Sequence, residues 1–198
     1  MIPDITLTTV TRDDIARIGG WLEDDEVSRY WFGKDEANKP LHIGYSPQNM
    51  LQSDNQEWAK IFLDDNRLIS SIYDANETHI GEIQVVFEHV LHEAQVFLII
   101  GKKELWQHHF GSASLMKLLD YLFHECGLHR VWVDVPLYNI HAAHMCQRLG
   151  FVLEGRLRST HPKDGGWYDS SIMGMLESEY ARRRPKLLDM LKQPSSSQ

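Results

Sequence analysis

The chain has 198 residues and a formal net charge of −8, with 42% hydrophobic and 24% charged residues. That length suits one domain, and the ordinary composition excludes wholesale disorder and fibrous repeats. The acidic balance argues against a protein that grips a nucleic-acid backbone.

The N-terminal stretch MIPDITLTTVTRDD carries acids and lacks the apolar core of a signal peptide. Ile5 and Leu7 alternate with polar residues, so residues 4–11 read as a strand. Thr11 is an N-cap candidate, followed by Asp13 and Asp14 and by Ile15, Ile18 and Leu22 at helical spacing. Residues 26–60 are aromatic and broken by Pro40, Gly44 and Pro47, and a second helix is expected over about 47–62. Strands follow at 67–74, 78–90 and 94–100, joined by short turns that suit antiparallel pairing. Residues 112–126 place Leu115, Leu118, Leu119, Leu122 and Cys126 on one helical face, with Gly127 as the stop. Val131, Val133 and Val135 alternate as a strand ended by Pro136. A shorter helix is expected over 140–149 with Gly150 as its stop, then closing strands at 152–154 and 172–176, and a last helix over about 177–191.

No apolar run reaches the roughly 18–20 residues needed to cross a bilayer, so no membrane contact is expected. The two cysteines, Cys126 and Cys146, fit a reduced, cytoplasmic protein better than a disulfide scaffold. Residues 1–192 are expected to form one domain, and 193–198 a flexible tail. Helices inserted between strands of an otherwise antiparallel run give the fold class: α/β, a single mixed, mostly antiparallel sheet flanked by helices.

The stretch with most chemical content is Trp106-Gln107-His108-His109-Phe110-Gly111-Ser112-Ala113. It follows an apolar strand and opens a long amphipathic helix. First-turn amides have no intrahelical partner and sit at the positive end of the helix dipole, so small residues there let a diphosphate approach.

Several segments in order carry a family resemblance: Trp21 to Val27, His79-Ile80-Gly81-Glu82, the loop before Gly111, Asn139, Leu149-Gly150-Phe151, Leu153-Glu154-Gly155 and Gly166-Trp167-Tyr168-Asp169. With these the chain resembles a GNAT-superfamily acyltransferase over about residues 5–180, most like the group of ribosomal-protein alanine and spermidine N-acetyltransferases. The family's phosphate loop runs Arg/Gln-x-x-Gly-x-Gly/Ala; here Trp106 stands at its first position, His109 at the inner glycine and Gly111 at the end. The resemblance implies a GNAT-like fold and acetyl-CoA as co-substrate; no metal is expected. It places the acyl-thioester arm between the strands at 94–100 and 130–136, against Leu98, Ile99, Ile100 and Asn139. The implied acceptor is a primary amine, on a small molecule or a protein N-terminus, and the implied assembly a monomer or homodimer. An amino-sugar acetyltransferase and a catalytically weak acyl-CoA-binding module are the rival readings.

Aminolysis of a thioester needs a neutral amine, and freeing a lysine-like amine of its proton at pH 7 costs about 4.6 kcal/mol. A carboxylate or a water chain must take that proton, or desolvation must lower the amine pKa. Glu82, Glu93 and Asp169 are the candidate bases. Gln95 stands where the spermidine enzymes carry a strand glutamate, and an amide cannot take a proton. The leaving thiolate needs an acid. Relatives place a tyrosine four residues before the Gly-Phe pair; that position is Cys146, the candidate acid. Tyr30 and Trp31, with Phe32 and Trp58, are candidates for an acceptor wall or for helix packing. His141, His144 and Cys146 have faintly metal-like spacing without a fourth ligand.

Overall fold

The computed structural model describes residues 2–163 and 165–192; the expected tail at 193–198 lies outside them. Seven strands form one sheet in the order β1-β2-β3-β4-β5-β7-β6. They are β1 (Ile5–Thr9), β2 (Arg67–Asp74), β3 (His79–Glu88), β4 (Glu93–Ile100), β5 (Arg130–Pro136), β6 (Val152–Lys163) and β7 (Gly166–Leu176). All neighbours pair antiparallel except β4 and β5, which run parallel. That parallel ladder covers only Glu93–Gln95 against Arg130–Trp132. Beyond Gln95 the two strands diverge, and the sheet opens at its centre.

The helices are α1 (Arg12–Glu23), α2 (Asp25–Tyr30), α3 (Pro47–Gln52), α4 (Asn55–Phe62), α5 (Phe110–Asp120, continued by a π turn at Tyr121–Glu125), α6 (Ile140–Leu149) and α7 (Glu177–Lys192). Thr11 caps α1 through a reciprocal capping box with Asp14. α1 buries Ile15, Ile18 and Leu22, the three positions the periodicity selects. On one face of the sheet, Leu115, Leu118 and Leu119 of α5 and Tyr180 of α7 pack on Ile83, Val85, Val96, Val131, Val133 and Met173. On the opposite face, Ile18, Leu22, Val27 and Trp31 pack with Ile99. The expected helix over 47–62 is two helices, because Asp54 turns its side chain onto the amides of Gln56 and Glu57 and starts a new one. Both closing strands are much longer than expected. β6 is interrupted by register shifts at Leu153/Gly155 and Leu157/His161, which erase a clean two-residue alternation.

A buried polar cluster ties α1 to the sheet. Asp14 accepts from Ser71 Oγ (2.9 Å), Tyr73 Oη (2.6 Å) and Arg17 (2.6 Å). Arg17 Nε donates to His79 Nδ1 (3.1 Å), and His79 Nε2 contacts the Gly81 carbonyl at 2.8 Å. A ring that accepts at Nδ1 and donates at Nε2 is neutral. Burial drives the His79 pKa down, against the pull of nearby Asp14. The unfolded chain therefore binds a proton that the folded one refuses, and stability is lost as pH falls through the ordinary histidine value of about 6.5. The melting temperature should fall between pH 7.5 and 5.5, less steeply in His79→Gln; equal slopes in both proteins would contradict this role for His79.

Candidate active site

A cavity of 770 Å3 opens beside the β4 edge that β5 leaves free. Its floor is Leu98, Ile99 and Ile100 of β4, and its mouth is the segment Leu105–Gln107 with His109, Phe110, Gly111 and Ser112. Tyr30 and Trp31 wall one side; Asn139, Ala142 and Met145 wall the other.

The mouth presents free backbone amides. No side chain caps α5. Its first helical backbone bond runs from Ala113 N to His109 O, which leaves the amides of Phe110, Gly111 and Ser112 to the cavity. Gln107 and His109 both have positive φ, 62° and 67°, so the chain can turn its amides inward. A left-handed residue other than glycine costs about 1 kcal/mol. His109→Gly should therefore hold or raise stability in a urea melt, whereas a glycine inside an ordinary helix costs about 1 kcal/mol; a loss of that size would mean that the His109 side chain itself supports the loop. His109 lines the mouth with His141, His144 and Arg148. Burial and then Arg148 push its pKa down. The loop before α5 is pinned by Lys103, which pairs with Asp24 (2.8 Å) and Glu26 (3.0 Å), and by Trp106 Nε1, which donates to the Ile100 carbonyl (2.7 Å).

A smaller chamber of 80 Å3 continues the cavity inward, sharing Tyr30, Trp31, Leu98, Asn139, Ala142 and Met145 as lining and adding Phe32, Phe97, Asp134, Cys146 and His161. Asn139 caps α6 by accepting from Ala142 N (3.1 Å) and ties it to α2 by donating to the Tyr30 carbonyl (2.9 Å).

Of the residues expected on the cofactor side, Leu98, Ile99, Ile100, Trp106, Gln107, His109, Phe110, Gly111, Ser112 and Asn139 line the cavity; His108 and Ala113 do not. Trp58 lies apart, stacked near Phe62 at 4.2 Å in the packing of α4.

The candidate catalytic groups separate. Glu93 pairs with Arg130 at 2.5 Å at the closed end of the β4/β5 ladder, away from both chambers. Asp169 is held by Arg156 (2.7 Å) and the Ser159 amide (2.9 Å), again outside both. The geometry gives neither carboxylate a path to the cavity. Glu82 lies on β3 directly across from Ile99, 2% exposed, on the α1/α2 face. It accepts from Tyr45 Oη and from Gln84 Nε2 (2.7 Å), and His42 Nε2 lies 3.3 Å away. Burial and the Glu82 charge push the Tyr45 hydroxyl far above its ordinary range, which keeps it a donor. His42 has no hydrogen-bond partner at either ring nitrogen among the described residues, and its ring lies 5.8 Å from that of Trp31. Gly81, just before Glu82, must be glycine: a Cβ would fall 2.1 Å from the Ile99 carbonyl. Cys146 is buried in the inner chamber, and burial pushes its thiol up to about 12.

Periodicity did not find His42, Tyr45, Arg148 or His161. His42 and Tyr45 fall in the stretch interrupted by Pro40, Gly44 and Pro47, and His161 follows the β6 register shift. Asp134 did leave a signal, an acid between Val133 and Val135 on the strand face that turns away from the core.

The profile of the acetyltransferase (GNAT) domain family matches residues 4–152. The chain belongs to that family. It is an acetyl-CoA-dependent N-acetyltransferase. It is similar to the spermidine N(1)-acetyltransferase of Vibrio cholerae, 27% identical over 184 residues that cover 92% of this chain and 99% of the relative. An uncharacterized N-acetyltransferase, p20, of Bacillus licheniformis is 30% identical over 88 residues, 44% of this chain and 49% of the relative. The fold superimposes with a TM-score of 0.75 on a solved structure of the Vibrio cholerae spermidine N-acetyltransferase in complex with CoA and spermine, at 24% identity, covering 89% of this chain and 98% of that one.

Proposed function

We propose that the acceptor is a small aliphatic amine, cationic in solution, which enters along the α1/α2 face and meets the thioester where β4 and β5 diverge. The observation that carries this is the pairing of a bare β4 edge, open to the cavity, with a buried carboxylate one strand away at Glu82. Aromatic Tyr30 and Trp31 wall the space between. Such walls suit an amine with an alkyl body and a positive end. A Vibrio cholerae relative named for spermidine supports the same acceptor class.

In this reading the diphosphate of acetyl-CoA rests on the amides of Phe110, Gly111 and Ser112, with Arg148 adding charge at the mouth. The acyl arm runs inward along Leu98, Ile99 and Ile100, where the β4 edge that β5 leaves free, at Leu98 above all, orients the thioester and stabilises its oxyanion. Glu82 is the base. His42, in contact with Glu82 and beside Trp31, carries the amine proton to it. No helix among the described residues is long and apolar enough to cross a membrane. The acidic net charge favours cationic acceptors over nucleic acid.

The test is thiol release from acetyl-CoA over a panel of diamines, polyamines, amino sugars and N-terminal peptides. Turnover is expected with the diamines and polyamines. Turnover confined to amino sugars or peptides would overturn the acceptor class. Acetyl-CoA binding without acceptor-dependent thiol release from any amine would leave an acyl-CoA-binding module instead.

A further inference from the structure

The inner chamber contains a carboxylate–histidine pair that neither the fold nor the proton path through Glu82 uses. Asp134 projects from β5 and His161 from β6, and their side chains are 15% and 6% exposed. His161 Nε2 lies 3.2 Å from Asp134 Oδ2, at ion-pair distance but not aligned for a hydrogen bond. Neither ring nitrogen of His161, nor Oδ1 of Asp134, has a hydrogen-bond partner among the described residues. Buried polar atoms without partners are costly and uncommon, and they mark groups kept for a ligand or a reaction. Phe32 stacks on the His161 ring, with centroids 5.5 Å apart and planes 16° apart, and fixes its orientation.

The chamber is the inner end of the cleft, so an acyl-CoA whose phosphates rest at the α5 mouth delivers its sulfur toward it. We propose that His161, held by Asp134, is the acid that protonates the departing CoA thiolate. This rests on the amine-acetylation reading above. As the tetrahedral intermediate collapses, the C–S bond breaks with its electron pair going to sulfur. The imidazolium proton passes to that sulfur to give the CoA thiol. Neutral imidazole remains and regains a proton from solvent before the next turnover. His161 is then a catalytic residue and Asp134 a positioning residue, whose carboxylate stabilises the positive ring. Cys146 lines the same chamber at the position the family gives to tyrosine. Burial holds its proton too firmly for transfer to a thiolate of ordinary basicity. An imidazolium, as a class, gives a proton to a thiolate downhill.

The experiment compares His161→Gln, His161→Asn, Asp134→Asn and Cys146→Ala with the wild-type protein, using the best amine of the panel. Each variant is first checked for fold by thermal melting and for acetyl-CoA affinity by calorimetry. In both His161 variants kcat should fall about 100-fold with KM values held within about threefold. The alkaline limb of the wild-type kcat profile should disappear with them. The titratable groups on the elements packed about the ring are Asp134 on β5, Cys146 on α6, Tyr168 opposite on β7 and Lys163 along β6. Asp134→Asn should lower kcat about tenfold and shift the limb, and Cys146→Ala should change kcat by less than about threefold. Either folded His161 variant retaining kcat and its alkaline limb would overturn the proposal, as would a Cys146→Ala loss of about 100-fold. A wild-type protein that turns over no amine would remove the acceptor reading first, whereas turnover that survives loss of His161 removes this assignment alone.

Discussion

Replacing Gly111 with aspartate is expected to abolish acetyl-CoA binding and leave the fold intact. Gly111 lines the mouth of the cavity in the first turn of α5, where the helix has no side-chain cap. A Cβ at this position meets Met145 Sδ at 3.0 Å, Leu98 Cδ2 at 3.6 Å and Ile100 Cγ1 at 3.9 Å. A thioether at the end of a flexible side chain can yield by a few tenths of an ångström, so sterics cost little. The added carboxylate is itself favoured at a helix N-terminus, by about 0.3–1 kcal/mol, and competes for the same amides. Two like charges about 4 Å apart near a protein surface repel by about 4 kcal/mol, which corresponds to roughly a thousandfold loss of affinity. Calorimetry measures it. Gly111→Ala adds the methyl group without the charge and should lose less than about tenfold. An affinity for acetyl-CoA unchanged in Gly111→Asp would mean that the diphosphate is held elsewhere.

Glu82→Gln carries the second large effect, and it falls on turnover rather than on binding. The substitution keeps the shape of a side chain that is 2% exposed, but it removes the one buried carboxylate that β3 carries among the described residues. Without it the amine proton has no acceptor, and kcat should fall by about 10²–10⁴ while acetyl-CoA affinity is held. The deficit should narrow as pH rises toward the amine pKa, because more of the acceptor then arrives neutral and needs no base. Tyr45 and Gln84 both donate to Glu82, so the amide nitrogen introduces one poor contact. That contact costs about 1–3 kcal/mol of stability, which a melt in parallel accounts for. An unchanged kcat, or a deficit constant with pH, would remove Glu82 from the proton path.

The sequence was most legible where one period dominates. Ile15, Ile18 and Leu22 on α1 are buried as their spacing requires, and Val131, Val133 and Val135 of β5 are buried on one face. Gly150, with φ of 109°, ends α6 at the residue its glycine marks. The mouth was legible for a local reason: small residues after a strand and before an amphipathic helix define an anion site within one turn of chain. The inner chamber was not, because its polar groups come from distant segments. Asp134 and His161 meet only when β6 and β5 are brought to opposite sides of β7, and His42 reaches Glu82 only when the stretch after α2 folds over β3. Register shifts in β6 removed the alternation that would have placed His161. Glu93 and Asp169 show the converse problem. A carboxylate in a turn or beside a strand reads as a base in one dimension, yet each is held by an arginine outside the cleft.

The account turns on acetyl-CoA lying in the gap between β4 and β5 with its diphosphate on the start of α5. Amide hydrogen exchange with and without CoA tests this most directly. Protection is predicted in two separated segments, 98–101 on the open edge of β4 and 107–113 across the mouth, with little change along β1 and β2. Protection confined to other parts of the sheet, with 107–113 exchanging as in the free protein, would contradict the placement and every residue role built on it.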